Sequence, residues 1–97
     1  MQNRTITKRK LLGRVAVDAG IIFIGDPCYQ ASEPDFQDWK TFLDKLGQKD
    51  LLIHKFKAGH PGKGLTVGGF GGDGQYPVYA DYGEDGMVVR VMVEFAQ

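Results

Sequence analysis

The sequence predicts an α+β chain that is mainly β. About six antiparallel strands are expected in a curled sheet, a small barrel or a sandwich, with one amphipathic helix at about 33–46 after the second strand. Three observations predict this. Apolar and polar residues alternate in several short runs, the period of a half-buried strand. One segment alone changes to three- and four-residue spacing, the period of a helix. With a single helix, few connections could carry a parallel crossover, so antiparallel pairing is expected.

The first element is "LLGRVAV", where Leu11, Gly13, Val15 and Val17 share one face and Leu12, Arg14 and Ala16 share the other. Asp18-Ala19-Gly20 supplies turn chemistry before a second strand. That strand, "IIFIG", is apolar on both faces, which suits an inner position. In "ASEPDFQDWKTFLDKLG", the residues Phe36, Trp39, Phe42, Leu43 and Leu46 make one apolar stripe. Ser32 is the expected N-cap, Asp35 the capping-box acid, Pro34 a first-turn residue and Gly47 the stop. "LLIHKFKA" is the next strand, with Leu52, His54 and Phe56 on one face. "LTVGGF", "YPVYADY" and "MVVRVMVEF" follow, the last two joined by the hairpin loop "GEDG". The predicted order is β-β-α-β-β-β-β.

Ninety-seven residues and 25% charged residues describe an ordinary small globular chain, read here as a basic arm over 1–10 and one β-rich domain over 11–97. Acids and bases cancel to a net charge of zero, so overall charge predicts no strong pull toward nucleic acid or membrane. The distribution is uneven. Arg4, Lys8, Arg9, Lys10 and Arg14 precede the first acid. Asp73, Asp81, Glu84, Asp85 and Glu94 load the other end, opposed by Arg90. The basic start is expected to be a solvated arm or to lie near the acidic end of the folded chain. Cys28 is the only cysteine, so an internal disulfide is ruled out and a reducing compartment is favoured. With no bilayer-length apolar run, a cytoplasmic location is expected and no membrane partner.

Eight glycines fall between Gly59 and Gly74. Gly62-Lys63-Gly64 lacks the spacing of a phosphate loop, and no helical pattern follows it as a dinucleotide fingerprint requires. Glycines 68, 69, 71 and 72 are read as the kinks of a small curled sheet. A ligand cradle is the competing reading, because Asp73, Tyr76 and Tyr79 lie beside them.

Two segments carry a resemblance. "VDAGIIFIGDPCY" (Val17 to Tyr29) and "GDGQYPVYADYGEDGMVVRVMVEF" (Gly72 to Phe95) resemble small, poorly characterised bacterial and phage domains. Those domains have an early Gly-Asp-Pro-Cys-Tyr box and a late Gly-Asp-Gly-x-Tyr-Pro-Val-Tyr box. The resemblance covers the two ends of the chain. It implies a bacterial or phage origin and a β-rich domain, and it supplies no reaction.

The candidate ligand- or partner-binding residues are Asp26, Cys28, Tyr29, Asp73, Tyr76 and Tyr79. Tyrosine offers a flat apolar body with a polar tip, which suits a binding surface. Asp26 precedes Pro27 and could present its carboxylate or cap the local turn. Asp73 sits between two glycines, where an Asx turn explains it equally well. Candidate catalytic groups are Asp26 with Asp73 as acid and base, or Cys28 as a nucleophile with His54 or His60 as its base. His54 on an apolar face is read first as a hydrogen-bonded core residue. No cofactor is expected, and two acids are too few for a metal site. The expected function is an accessory binding module for a protein partner or a small ligand. A small hydrolase or transferase is the alternative. Nucleic acid is disfavoured because the tyrosine-rich end is acidic, unless the basic arm folds over it. A homodimer through the long apolar last strand stays open.

Overall fold

A computed structural model of the chain describes residues 5–28, 38–54 and 64–96. Their elements follow the expected order: β1 (Ile6–Val17), β2 (Ile22–Gly25), α1 (Trp39–Leu46), β3 (Leu51–His54), β4 (Gly64–Val67), β5 (Gly74–Gly83) and β6 (Val88–Val93). All strand pairs are antiparallel. They form two three-stranded sheets, β1-β5-β6 and β2-β4-β3, rather than one curled sheet, and no closed barrel forms among the described residues. The chain divides into two compact units, one of residues 1–18 with 73–97 and one of residues 19–72.

Within the stretch read as a basic arm, the residues from Ile6 onward are strand. Residues Ile6–Lys10 are the first half of β1 and pair with β5. The segment 19–72 forms a unit of its own. The strands β1 and β2, which read as neighbours around a turn, fall in different units. The bend at 18–20 is present, with Gly20 at a φ of 70°, but the two strands enter different sheets.

In the unit of residues 1–18 and 73–97, the hairpin β5–β6 closes on the three-residue loop Glu84-Asp85-Gly86. The Gly83 N–H donates to the Met87 carbonyl at 2.9 Å, and the Gly86 N–H donates to the Gly83 carbonyl at 3.0 Å. Asp85 Oδ1 accepts the Met87 N–H at 3.0 Å. Gly86 supplies the positive φ of 80° that such a loop needs. Val17 and Ala80 are buried, and Tyr76 meets Phe95 edge to face at 5.2 Å.

β1 does not keep one alternation. Its register on β5 shifts between Leu11 and Gly13, leaving Leu12 as the extra residue of a bulge. Leu11 therefore pairs with Tyr79, while Gly13 pairs with Val78, whose side chain projects to the opposite side. The bulge moves Leu11 off the face predicted for it with Gly13, Val15 and Val17. Leu11 is half exposed and Val17 is buried.

In the unit of residues 19–72, β4 is central and β2 is an outer strand, the reverse of what "IIFIG" suggested. β4 and β2 pack closely at Gly64. A Cβ on Gly64 would lie 2.6 Å from the Phe23 ring and 2.7 Å from the Ile24 carbonyl, so the glycine lets β4 approach β2. Helix α1 starts later than the stripe implied. Its N-cap is Asp38, whose carboxylate accepts from the Thr41 N–H at 3.2 Å and the Thr41 hydroxyl at 2.7 Å. Ser32, Pro34, Asp35 and Phe36 lie outside the described residues. Gly47 ends the helix as expected, its N–H donating to the Leu43 carbonyl at 2.9 Å. Phe42 and Leu46 are buried, whereas Trp39 and Leu43 are exposed.

Candidate functional site

The candidate residues fall into both compact units. Asp26 and Cys28 belong to residues 19–72, and Asp73, Tyr76 and Tyr79 belong to the other unit. Tyr29 and His60 lie outside the described residues.

In the first group, Asp26 follows the last residue of β2, and Pro27 and Cys28 take helical backbone. Asp26 Oδ1 accepts the Cys28 N–H at 2.9 Å. That carboxylate oxygen is therefore occupied with capping, as a residue ahead of a proline-led turn can do. The Cys28 side chain is a free, exposed thiol. His54 is 2% exposed, and its Nε2 lies 2.7 Å from the Thr66 hydroxyl. Its ring stacks on Phe42 at 6.0 Å and meets Phe23 edge-on at 5.6 Å. His54 is a hydrogen-bonded core residue here, not an accessible base.

The glycine cluster works as kinks. Gly69, Gly71 and Gly72 have φ values of 76°, 116° and 91°, conformations that side chains disfavour. Gly69 also passes under Asp50: a Cβ there would stand 2.6 Å from the Asp50 carboxyl carbon. The neighbouring Gly68 N–H donates to the Asp50 carbonyl at 2.8 Å.

In the late box, Asp73 is exposed in the bend before β5. Tyr76 and Tyr79 project to opposite sides of β5, three residues apart on a strand. Tyr79 is half-buried and stands in register with Leu11 of β1 and Met92 of β6, so these three form one row across the sheet.

The next row on the same side was not singled out from sequence. Arg9, Asp81 and Arg90 are in register across β1, β5 and β6. Arg9 donates from Nε to Asp81 Oδ1 at 2.7 Å and from Nη2 to Oδ2 at 3.1 Å. Arg90 donates from Nε to Oδ2 at 2.8 Å, with its Nη2 at 2.6 Å. Asp81 is 1% exposed while both arginine side chains are about half exposed, at 51% and 50%. The Arg9 hydrogen bond leads in holding the Asp81 carboxyl down at about 2, against desolvation and with help from Arg90. Two guanidiniums share one carboxylate, so the row carries a net positive charge. Opposite charges at alternate positions of two strands were the available signal, but it becomes legible only once the register is known.

The basic strand thus lies directly beside the tyrosine strand. Among the described residues, no group of three or more His, Cys, Asp and Glu is placed to hold a metal ion. No helix among them is long and apolar enough to cross a membrane. Comparison with known proteins finds no matching family model, no matching curated protein and no matching solved structure.

Proposed function

We propose that the chain is an accessory binding module, of bacterial or phage origin, that engages a protein partner through the side of the β1-β5-β6 sheet carrying Leu11, Tyr79 and Met92. The carrying observation is the pair of adjacent rows. Leu11-Tyr79-Met92 offers an apolar and aromatic strip, and Arg9-Asp81-Arg90 borders it with half-exposed guanidiniums held in place by a buried carboxylate. Tyrosine, methionine and arginine are the residue types enriched where proteins meet. A pinned arginine has already lost the side-chain freedom that binding would otherwise remove. The partner that fits presents an apolar side chain flanked by carboxylates. The proposed origin rests on the resemblance of the two boxes.

The hydrolase or transferase alternative has less support. Asp26 caps the Cys28 amide, and His54 is buried on Thr66 while Cys28 is exposed.

The test is affinity capture from a bacterial lysate, followed by titration with the purified captured protein. Leu11→Glu and Tyr79→Ala should each weaken that binding at least tenfold, about the loss of one central contact. Ile53→Ser, on the other unit, should leave it unchanged. Equal binding by all four chains would refute the face. Self-association seen on sizing, and lost in Leu11→Glu, would make the partner a second copy.

A further inference from the structure

An open depression lies at the hairpin end of the same sheet, with Lys8, Lys10 and Tyr82 on the side opposite the proposed partner face. Thr7, Lys8, Lys10, Tyr82, Gly83, Glu84 and Gly86 line this depression of about 410 Å³. In "Lys8-Arg9-Lys10" the strand period sends Arg9 to one side, where it meets Asp81, and both lysines to the other. Lys8 pairs with Tyr82 and Lys10 with Ala80, so Lys8 stands directly across from Tyr82 and Lys10 diagonally from it on the same side of the sheet.

We propose that this depression binds a small organic phosphate monoester, with Lys8 and Lys10 holding the phosphate and Tyr82 bordering the organic part. The charge state of the neighbours supports it. Arg9 and Arg90 are committed to Asp81, whereas among the described residues neither Lys8 nor Lys10 takes part in an ion pair. Two ammoniums at alternate positions of one strand have Cα atoms about 7 Å apart. Their flexible stems can converge on one dianion. The volume falls in the range of small-molecule sites, about 300–1,000 Å³, and leaves room for more than the anion. Glu84 at the rim is an acceptor for a hydroxyl of the organic part. The floor is held in place: the Thr7 hydroxyl donates to the Gly83 carbonyl at 3.3 Å, and the Glu84-Asp85-Gly86 loop is closed by its own hydrogen bonds.

The test uses the intact chain and three probes by calorimetry: phenyl phosphate, inorganic phosphate and a short oligothymidylate. Phenyl phosphate should bind saturably at one site with Kd at or below about 1 mM, more tightly than inorganic phosphate. Lys8→Gln with Lys10→Gln should weaken it at least roughly tenfold. Lys40→Gln with Lys49→Gln, the same charge change on the other unit, should not. Absence of saturable binding would overturn the proposal, as would equal loss in both double variants. Tighter binding of the oligothymidylate than of phenyl phosphate would make the ligand a nucleic-acid backbone and overturn the monoester. Leu11→Glu should retain phenyl phosphate binding, which separates a failure here from a failure of the partner face.

Discussion

Arg9 and Asp81, 72 positions apart in the chain, meet side by side across β1 and β5 with Nε 2.7 Å from Oδ1. The buried carboxylate also takes Arg90 from the strand beyond, so a single acid links all three strands of the sheet. A carboxylate this enclosed is tolerable only because both of its oxygens accept charged hydrogen bonds.

Asp81→Ala should be one of the most damaging single changes in this unit. It leaves two guanidiniums facing each other without a counter-charge. We expect the thermal midpoint to fall by on the order of 10 °C. Scanning calorimetry of the variant beside the parent chain checks it, and an unchanged midpoint would show that the row is not structural.

The same group sets a pH dependence. The folded-state carboxyl sits at about 2, below its ordinary 3.8, chiefly through the Arg9 hydrogen bond. Its contribution is full above about pH 4 and is lost as pH falls toward about 2. The stability gap between the parent chain and Asp81→Asn should therefore narrow across that acid window. A gap constant from pH 5 to pH 2 would contradict it.

Thr66→Val removes the hydroxyl that faces His54 Nε2 inside the unit of residues 19–72. A buried ring nitrogen deprived of that partner should cost about 1–3 kcal/mol. Denaturant unfolding measures the loss, and a neutral result would show that water or another group replaces the threonine.

Two glycine substitutions should separate. Gly64→Ala drives a methyl to 2.6 Å from the Phe23 ring and should destabilise by about 1–3 kcal/mol. Gly13→Ala meets nothing within 4 Å and should be neutral or stabilising by up to about 1 kcal/mol. Unfolding curves for the two variants give the comparison, and equal losses would mean that neither space is as described.

Much of the architecture was legible because it rests on local periodicity. The six strands, the helix that Gly47 ends and the Glu84-Asp85-Gly86 hairpin loop all follow from short-range pattern and turn chemistry. Partner choice was not legible. Nothing local in "LLGRVAVDAGIIFIG" tells that β1 leaves its neighbour to pair with β5, or that Leu12 bulges and turns Leu11 to the Tyr79 side. The apolar run of β2 implied an inner strand, yet β2 lies at the edge of its sheet and β4 pairs on both sides, a choice of partners that no local pattern carries. Of the candidate residues, His54 was legible as core from its place on an apolar face. Arg9, Asp81 and Arg90 were legible only as opposite charge loaded at the two ends of the chain, with the basic start near the acidic end as one alternative; which guanidinium meets which carboxylate depends on register, a property of paired strands rather than of one.

The partner face is tested most directly by amide hydrogen exchange on the chain alone and saturated with its captured, purified partner. Added protection should concentrate in peptides covering residues 9–12, 77–81 and 90–92, and should disappear in Tyr79→Ala at the same concentrations. Protection confined to residues 38–54 and 64–67 would place the contact on the other unit and contradict the proposed binding surface.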